Sequence, residues 1–564
     1  MCGFFSTLAS KNIEPNNLET FFKVSKFIKH RGPDDSYNFK TDNYLSIFYR
    51  LSIRDLSIKS RQPIKSKCGR YILSFNGEIY RFKGLSRTEI KSFSSDTLCL
   101  LDQISKNGIG FVNNITGMFA ISVFDIKDNL LYLIRDHLGI KPLYYISNNV
   151  RTKLDSTYFL SCSEQLPLIK LLKNNVPDIN ECLRFLKMGV SGDTEATFFE
   201  DIKQVKPGVI LKIDAQDFSR EEIKLKKNID NIPLHKKGQF SASAHSKFLT
   251  QNLEDHLISD VPISSALSGG VDSTYIASTT AQLLDREINC FTLKSDLFPS
   301  EIDNKSDIHK LTKINLKIVE SNYFSYQEKI KEIVQKLSAP FLASWIHQDT
   351  LFQHIANEKE YKVVLVGEGA DEIYSGYKRL VYPYLLCLEN DFENELFENS
   401  LNQLSMFLNL RTSEIIKRYK SFKKYLNSKN DYEDFSYRKY FKMTDRNMDY
   451  ERYFPRLEDN EQFSDPEIFY KSHLLKYLTR ADIPAHLHIL DHISMSYGLE
   501  LRVPFLDIDL VSEVFEYSYK YHFLNGFNKF MLRKVSLSTP DSIRYKRKKI
   551  QRPGPTQKLM YNFL

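Results

Sequence analysis

Long apolar runs are missing from this chain of 564 residues. No stretch approaches the roughly 18–20 consecutive apolar residues that cross a bilayer as a helix, which excludes a membrane-spanning helix. The first residues carry no charged segment followed by an apolar one, so they do not read as a secretory signal. A cytoplasmic location is therefore expected. Cysteine is scarce, with seven residues and no Cys-x-x-Cys pair. That argues against a disulfide framework and a structural zinc site. Cys68, Cys99, Cys162, Cys182, Cys290 and Cys387 then read as reduced, small hydrophobes. Charge of one sign is in little excess, because a net charge of +8 is modest for this length. The basic cluster Arg544-Tyr545-Lys546-Arg547-Lys548-Lys549 has no nucleic-acid fold signature beside it. It reads as a solvated face or an anion site, and no nucleic-acid or membrane partner is expected.

What is present falls into two textures. The length exceeds what one core supports, and 42% hydrophobic content supplies material for several. No internal repeat is visible. Up to about residue 210, aromatic and β-branched runs separated by turn residues predict short strands at Tyr44–Tyr49, Tyr71–Phe75, Phe119–Asp125 and Leu130–Ile134. Residues 211–244 read as a linker, charged and interrupted by Pro233. From residue 245 to 564, short apolar strands at Ile263–Leu267, Ile288–Leu293, Leu316–Val319 and Val363–Val366 alternate with helical stretches. That alternation predicts a parallel α/β sheet. Residues 385–480 are helical in pattern and carry no recognised catalytic motif.

Cys2 is the first residue with chemical promise. Once Met1 is removed, it carries a thiol and a free α-amine together. An α-amine has an ordinary pKa of roughly 8, so its neutral fraction can accept the thiol proton. After it come His30-Arg31-Gly32-Pro33-Asp34-Asp35, Arg50-Leu51-Ser52-Ile53-Arg54-Asp55, Phe75-Asn76-Gly77-Glu78-Ile79-Tyr80, Ser95-Asp96-Thr97 and Arg135-Asp136-His137-Leu138-Gly139-Ile140-Lys141-Pro142. This ordered set resembles the class II glutamine amidotransferase domain, an N-terminal-nucleophile hydrolase of four-layer αββα form, over residues 2–210. The resemblance implies an oxyanion hole from Asn76 and Gly77, a carboxylate clamp at Arg50, an ammonium ligand at Asp96 and a glutamine contact at Glu78. An oxyanion hole is what amide hydrolysis through a thioester requires, and an arginine fork suits a carboxylate. Leu98 stands where that family often has glutamate after Ser-Asp-Thr. His30 is read as structural.

In the second texture, Ser268-Gly269-Gly270-Val271-Asp272-Ser273 follows a predicted strand and opens a predicted helix. Two glycines let backbone amides approach phosphate, and a helix start favours anions. This is a PP-loop pattern, distinct from the Walker loop, and Asp272 is a hard oxygen ligand suited to magnesium. A second strand leads into Gly367-Glu368-Gly369-Ala370-Asp371-Glu372, with Asp371 placed to share that metal. Further blocks lie at Asp491, Ser494-Met495, Gly498–Asp507 and Ser542–Lys548. Together they resemble the synthetase domain of glutamine-hydrolysing asparagine synthetase, an α/β PP-loop ATP pyrophosphatase with added helices.

The resemblance implies ATP and magnesium as cofactors and places nucleotide at Ser268, Gly269, Gly270, Asp272, Ser273 and Gly367. It assigns Lys548 to charge stabilisation and Glu368 to ammonia addition. Glutamine, ATP and aspartate are the expected partners, and a homodimer is compatible. The acceptor stays open: Leu337–Ser344 lacks the acidic residues often found there, and Lys378-Arg379 could suit a larger acidic acceptor or be ordinary surface charge. Amidation of another carboxylate, and a non-catalytic or nucleic-acid-binding descendant, remain as alternatives.

Overall fold

The computed structural model describes residues 2–147, 149–295, 311–321, 326–341, 345–391, 394–427 and 465–546. Twelve described strands precede residue 225. They are β1 (Cys2–Ala9), β2 (Asp35–Lys40), β3 (Tyr44–Arg50), β4 (Ile64–Lys65), β5 (Tyr71–Phe82), β6 (Ile115–Asp125), β7 (Leu130–Arg135), β8 (Tyr144–Ile146), β9 (Tyr158–Cys162), β10 (Lys203–Gln204), β11 (Val209–Asp214) and β12 (Arg220–Lys224). They form two antiparallel sheets, ordered β10-β8-β9-β1-β3-β2 and β12-β11-β7-β6-β5-β4.

Strand parity decides what faces what. In β1, Phe4 and Leu8 point between the sheets and meet Phe48, Ala120, Phe124, Leu131 and Leu133. Phe5 and Ala9 point the other way and pack with Phe21, Val24 and Ile28, from the helix Pro15–Ser25 and the turn after it. Every residue of β1 is buried, as expected of a strand covered on both faces. On the far side, Leu73, Phe75 and Ile79 of β5 pack under Cys99, Leu100 and Ile104 of the helix Asp96–Asn107. The layers are helix, sheet, sheet, helix. Cys2 shares the parity of Phe4, so its side chain enters the space between the sheets.

The stretch read as a linker begins differently. β11 and β12 complete the second sheet, and Leu225 packs into its core. Every residue of β12 is exposed, and β12 is the edge strand. Edge strands carry charge to discourage further pairing, and that charge hides the strand in the sequence.

The second half has five described parallel strands, β13 (Ile263–Ala266), β14 (Ile288–Ser295), β15 (Ile314–Ser321), β16 (Val363–Leu365) and β17 (Glu500–Arg502), ordered β15-β14-β13-β16-β17. The chain leaves β13 for β14 on one side and later places β16 on the other. Such a reversal opens a crevice at the carboxyl ends of the strands. The helices Val381–Asp391, Asn394–Leu408, Thr412–Asn427 and Pro466–Thr479 supply the helical stretch expected after residue 385; residues 428–464 lie outside the described set.

The halves meet across buried charge. Arg31 is fully buried. Its Nε donates to the Cys2 carbonyl at 3.1 Å, Nη1 to Glu164 Oε1 at 2.9 Å and Nη2 to Asp491 Oδ2 at 2.8 Å. Lys141 Nζ reaches the other Asp491 oxygen at 3.4 Å. Arg502, also fully buried, pairs with Glu500 at 2.7 Å and with Glu78 of the first half at 3.3 Å. Removing one partner of a buried ion cluster strands the others. Arg31→Met, similar in bulk but uncharged, should therefore cost about 3–5 kcal/mol. The check is a lowered thermal midpoint; an unchanged midpoint would show that the seam contributes nothing.

Candidate active site

The first centre is built on the register of β1 with β3, which sets Cys2 opposite Arg50. The Cys2 amide N donates to Asn76 Oδ1 at 2.9 Å. That bond fixes the orientation of the Asn76 amide, since the oxygen must face the donor. Its Nδ2 is then buried with no hydrogen-bond partner among the described residues. An unpaired buried donor costs about 1–3 kcal/mol, so this one is a standing demand for an acceptor. Asn76-Gly77 lies inside β5 rather than at a hairpin turn. Gly77 pairs with Phe119, and a Cβ there would overlap the Met118 carbonyl. Only glycine fits so close an approach. Burial pushes the Cys2 thiol pKa up, so attack needs a base.

Arg50 is buried. Its Nη1 donates to the Ser57 carbonyl at 2.7 Å and its Nη2 to the Asp55 carbonyl. Two of its five N–H donors thus hold the loop after β3. Asp96 opens the helix Asp96–Asn107, where Oδ2 accepts from Ile79 N at 2.9 Å and Oδ1 from Thr97 N at 2.8 Å. Glu78 turns toward the seam: Oε1 accepts from Arg54 Nη1 at 2.7 Å and Oε2 from Arg502. Burial first, then the charge of Asp96, raises Glu78 to about 8 despite Arg54 and Arg502. Arg54, not singled out in the sequence, lies 3.9 Å from Asp96 as well. Its motif, Arg50-Leu51-Ser52-Ile53-Arg54, was the available signal. His30 Nε2 meets Glu164 Oε1 at 3.0 Å, which agrees with a structural part.

The second centre lies in the crevice beside β13. Gly269 takes a left-handed φ of +83°, and the helix Val271–Leu284 starts at Gly270 with no side-chain cap. Its first N–H groups therefore remain open to an anion. Ser268 and Ser273 close the loop on itself, hydroxyl to hydroxyl at 3.0 Å. Asp272 and Asp371 both meet Lys529 Nζ, at 2.6 and 2.8 Å. Burial disfavours the Lys529 charge, but the two aspartates overcome it and raise its pKa. Asp272 Oδ1 is buried with no hydrogen-bond partner among the described residues. Two carboxylates and an orphaned anionic oxygen suit a hard cation such as magnesium.

Gly367 and Glu368 line the same cleft with Ser268, Gly269, Gly270, Ser273, Lys529 and Arg533. A Cβ at Gly376 would collide with Asp371 Oδ1 and Lys529 Cε, so this glycine shapes the lysine bridge. Lys548 lies outside the described residues, as do Leu342, Ala343 and Ser344. Lys378 Nζ donates to the Leu408 carbonyl at 3.4 Å. Arg379 pairs with Asp482 and lies over the rings of Tyr377 and Tyr477, 4.4 and 3.9 Å from their centroids.

A buried thiol beside an unpaired amide donor, and a glycine-rich loop beside paired aspartates, docked in one chain, fit a glutamine-dependent amidotransferase. Family models agree: a glutamine amidotransferase domain matches residues 1–224, and asparagine synthase matches residues 246–563. The chain belongs to the asparagine synthase family. It is 26% identical to the glutamine-hydrolysing asparagine synthetase 1 of Bacillus subtilis (strain 168), over 100% of this chain and 88% of that protein. The B. subtilis synthetase 3 is 25% identical over 97% of this chain and 86% of its own length. Asparagine synthetase B of Escherichia coli (strain K12) is 25% identical over 67% of this chain and 65% of that protein.

Two substitutions separate the centres. Gly77→Ala should abolish glutamine hydrolysis by displacing β5 from β6. Lys529→Met should slow ATP-dependent pyrophosphate release about 100-fold or more and leave glutamine hydrolysis intact. Parallel loss of both activities in Lys529→Met would contradict the separation.

Proposed function

We propose that the acceptor carboxylate is aspartate and the product asparagine, formed in the cytoplasm. The observation that carries this reading is the placement of Lys378 and Arg379. Neither lines the cleft beside the PP-loop, and Arg379 spends its charge on Asp482. With Arg379 neutralised by Asp482 and Lys378 donating to the Leu408 carbonyl, this pair gives no support for a larger acidic acceptor. The names of the relatives along the full chain support the same acceptor. All seven cysteines are unpaired, as suits a reducing compartment. No described helix is long and apolar enough to cross a membrane.

The chemistry follows residue by residue. The Cys2 α-amine, freed by loss of Met1, takes the thiol proton, and Sγ attacks the side-chain carbonyl of glutamine. Asn76 Nδ2 and the Gly77 N–H receive the oxyanion. Ammonia leaves, and water cleaves the thioester to glutamate. Arg50 holds the glutamine α-carboxylate with its remaining donors, and Asp96 faces the α-ammonium. Glu78, through Arg54, ties that pocket to Arg502.

In the second centre, the aspartate side-chain carboxylate attacks the α-phosphorus of ATP. Pyrophosphate leaves onto the PP-loop amides, Ser268, Ser273 and Lys529, giving an acyl-adenylate. Asp272 and Asp371 would hold magnesium, which supplies positive charge to the phosphates. Ammonia then attacks the acyl carbon, AMP leaves with the ester oxygen, and Glu368 takes part in receiving the nitrogen's proton. Lys548 is proposed to balance charge on the nucleotide.

Purified protein with ATP, magnesium, glutamine and aspartate should release asparagine, AMP and pyrophosphate. Cys2→Ala should lose glutamine use and keep ammonia use, whereas Asp272→Asn should lose synthesis with either nitrogen source. Chelating magnesium should stop AMP formation without affecting glutamine hydrolysis. Glutamine hydrolysis with no asparagine formed from aspartate would overturn the acceptor assignment.

A further inference from the structure

Glu368 does not stand alone in the cleft. Its Oε1 accepts a hydrogen bond from His486 Nδ1 at 2.7 Å. His486 comes from the opening turns of the helix Asp482–Met495, 118 residues away in sequence. Its ring lies against Trp345, with centroids 4.4 Å apart. Glu372 completes the group: ligand atoms of Glu368, Glu372 and His486 all lie within 4.8 Å of one another. Glu372 itself is buried and accepts from the Tyr377 hydroxyl at 2.5 Å. The histidine is thus fixed by an aromatic ring on one side and by carboxylates on the other.

We propose that His486 is the positioning residue for Glu368, holding one carboxylate oxygen so that the other meets the nitrogen entering the acyl-adenylate. The inference rests on the ammonia-addition part proposed for Glu368. A free glutamate side chain samples several rotamers, and misplacement by about 1 Å can cost on the order of 100-fold in rate. A charge-assisted bond to imidazolium is about twice as strong as a neutral one, and the Trp345 contact limits how the ring can turn. Other side chains could pack here, but leucine or phenylalanine would leave Glu368 unheld.

The titratable groups facing His486 are Glu368 and Glu372 from the segment after β16 and Asp482 from its own helix. Glu372 is itself raised to about 8 by burial and then by Glu368, and Asp482 pairs with Arg379. Burial works against the imidazolium, but these carboxylates, Glu368 foremost, raise His486 to about 8. The sign follows directly. Below about pH 8 the ring is charged and grips Glu368; as pH rises through that value the charge is lost and the grip weakens.

The experiment uses the full chain, supplied with ATP, magnesium, aspartate and ammonium at a constant concentration of neutral ammonia. His486→Leu should lower kcat for asparagine formation about 10- to 100-fold. Aspartate-dependent exchange of pyrophosphate into ATP, which reads adenylation alone, and glutamine hydrolysis should each stay within about twofold. His486→Asn places an amide donor where Nδ1 was, so it should recover most of the rate. Because it cannot titrate, the wild-type rate divided by that of His486→Asn should fall as pH passes about 8.

The inference is overturned if His486→Leu matches wild type, or if His486→Asn is as slow as His486→Leu although both variants melt like wild type. Glu368→Gln separates this outcome from failure of the underlying reading. If it forms asparagine at the wild-type rate, Glu368 has no part in ammonia addition. If it is inactive while His486→Leu is not, the positioning inference alone fails.

Discussion

The guanidinium of Arg31 is the contact on which the rest of this molecule depends. It is fully buried, and it touches the Cys2 carbonyl, a carboxylate of the first half and a carboxylate of the second. An isolated charge in that position would be very costly to bury. Here two acids and a carbonyl share the fork, and its planar geometry lets each acceptor take a separate direction. Cys2, the proposed nucleophile, is therefore fixed to the helix Asp482–Met495. That helix also carries His486 toward the other centre, so a single rigid element reaches both sites.

The same device recurs wherever chemistry is expected. Lys529 is held between Asp272 and Asp371, Arg502 between Glu500 and Glu78, and Arg379 against Asp482 over two tyrosines. Each cation is placed by partners from distant parts of the chain. Buried pairs are poor sources of net stability, but they tolerate only narrow geometry. Cysteine, aspartate and glutamate can then be oriented without relying on loop stiffness.

Much of this was legible in the sequence, for identifiable reasons. β1, β3, β5 and β6 announce themselves because their apolar and aromatic residues are contiguous. The PP-loop is legible because Ser268–Ser273 sits between a strand and a helix, a purely local arrangement. Asn76-Gly77 was recognisable by its neighbours, although the pair normally marks a turn; here it lies within a strand because the approach of Met118 requires a glycine. β12 is hidden within the charged stretch 211–244 because edge strands carry charge. Arg54 lies within the Arg50–Arg54 motif that carries the clamp, whereas nothing beside Lys529 or Gly376 distinguishes them. Lys529 is one of many lysines, and its partner Asp272 is 257 positions away.

The sequence by itself determined the two chemistries and their order along the chain. A terminal thiol, a strand parity that turns it inward and a glycine-rich loop before a helix are all properties of adjacent residues. The tertiary structure alone decided how those centres are joined and which charges are spent. It committed Glu78 to the seam, paired Arg379 with Asp482, put Lys529 between the two aspartates and brought His486 to Glu368. The physical reason is range. Backbone preference and side-chain alternation act over a few residues, whereas the cost of burying charge is offset only by whichever partner the completed fold brings within about 3 Å.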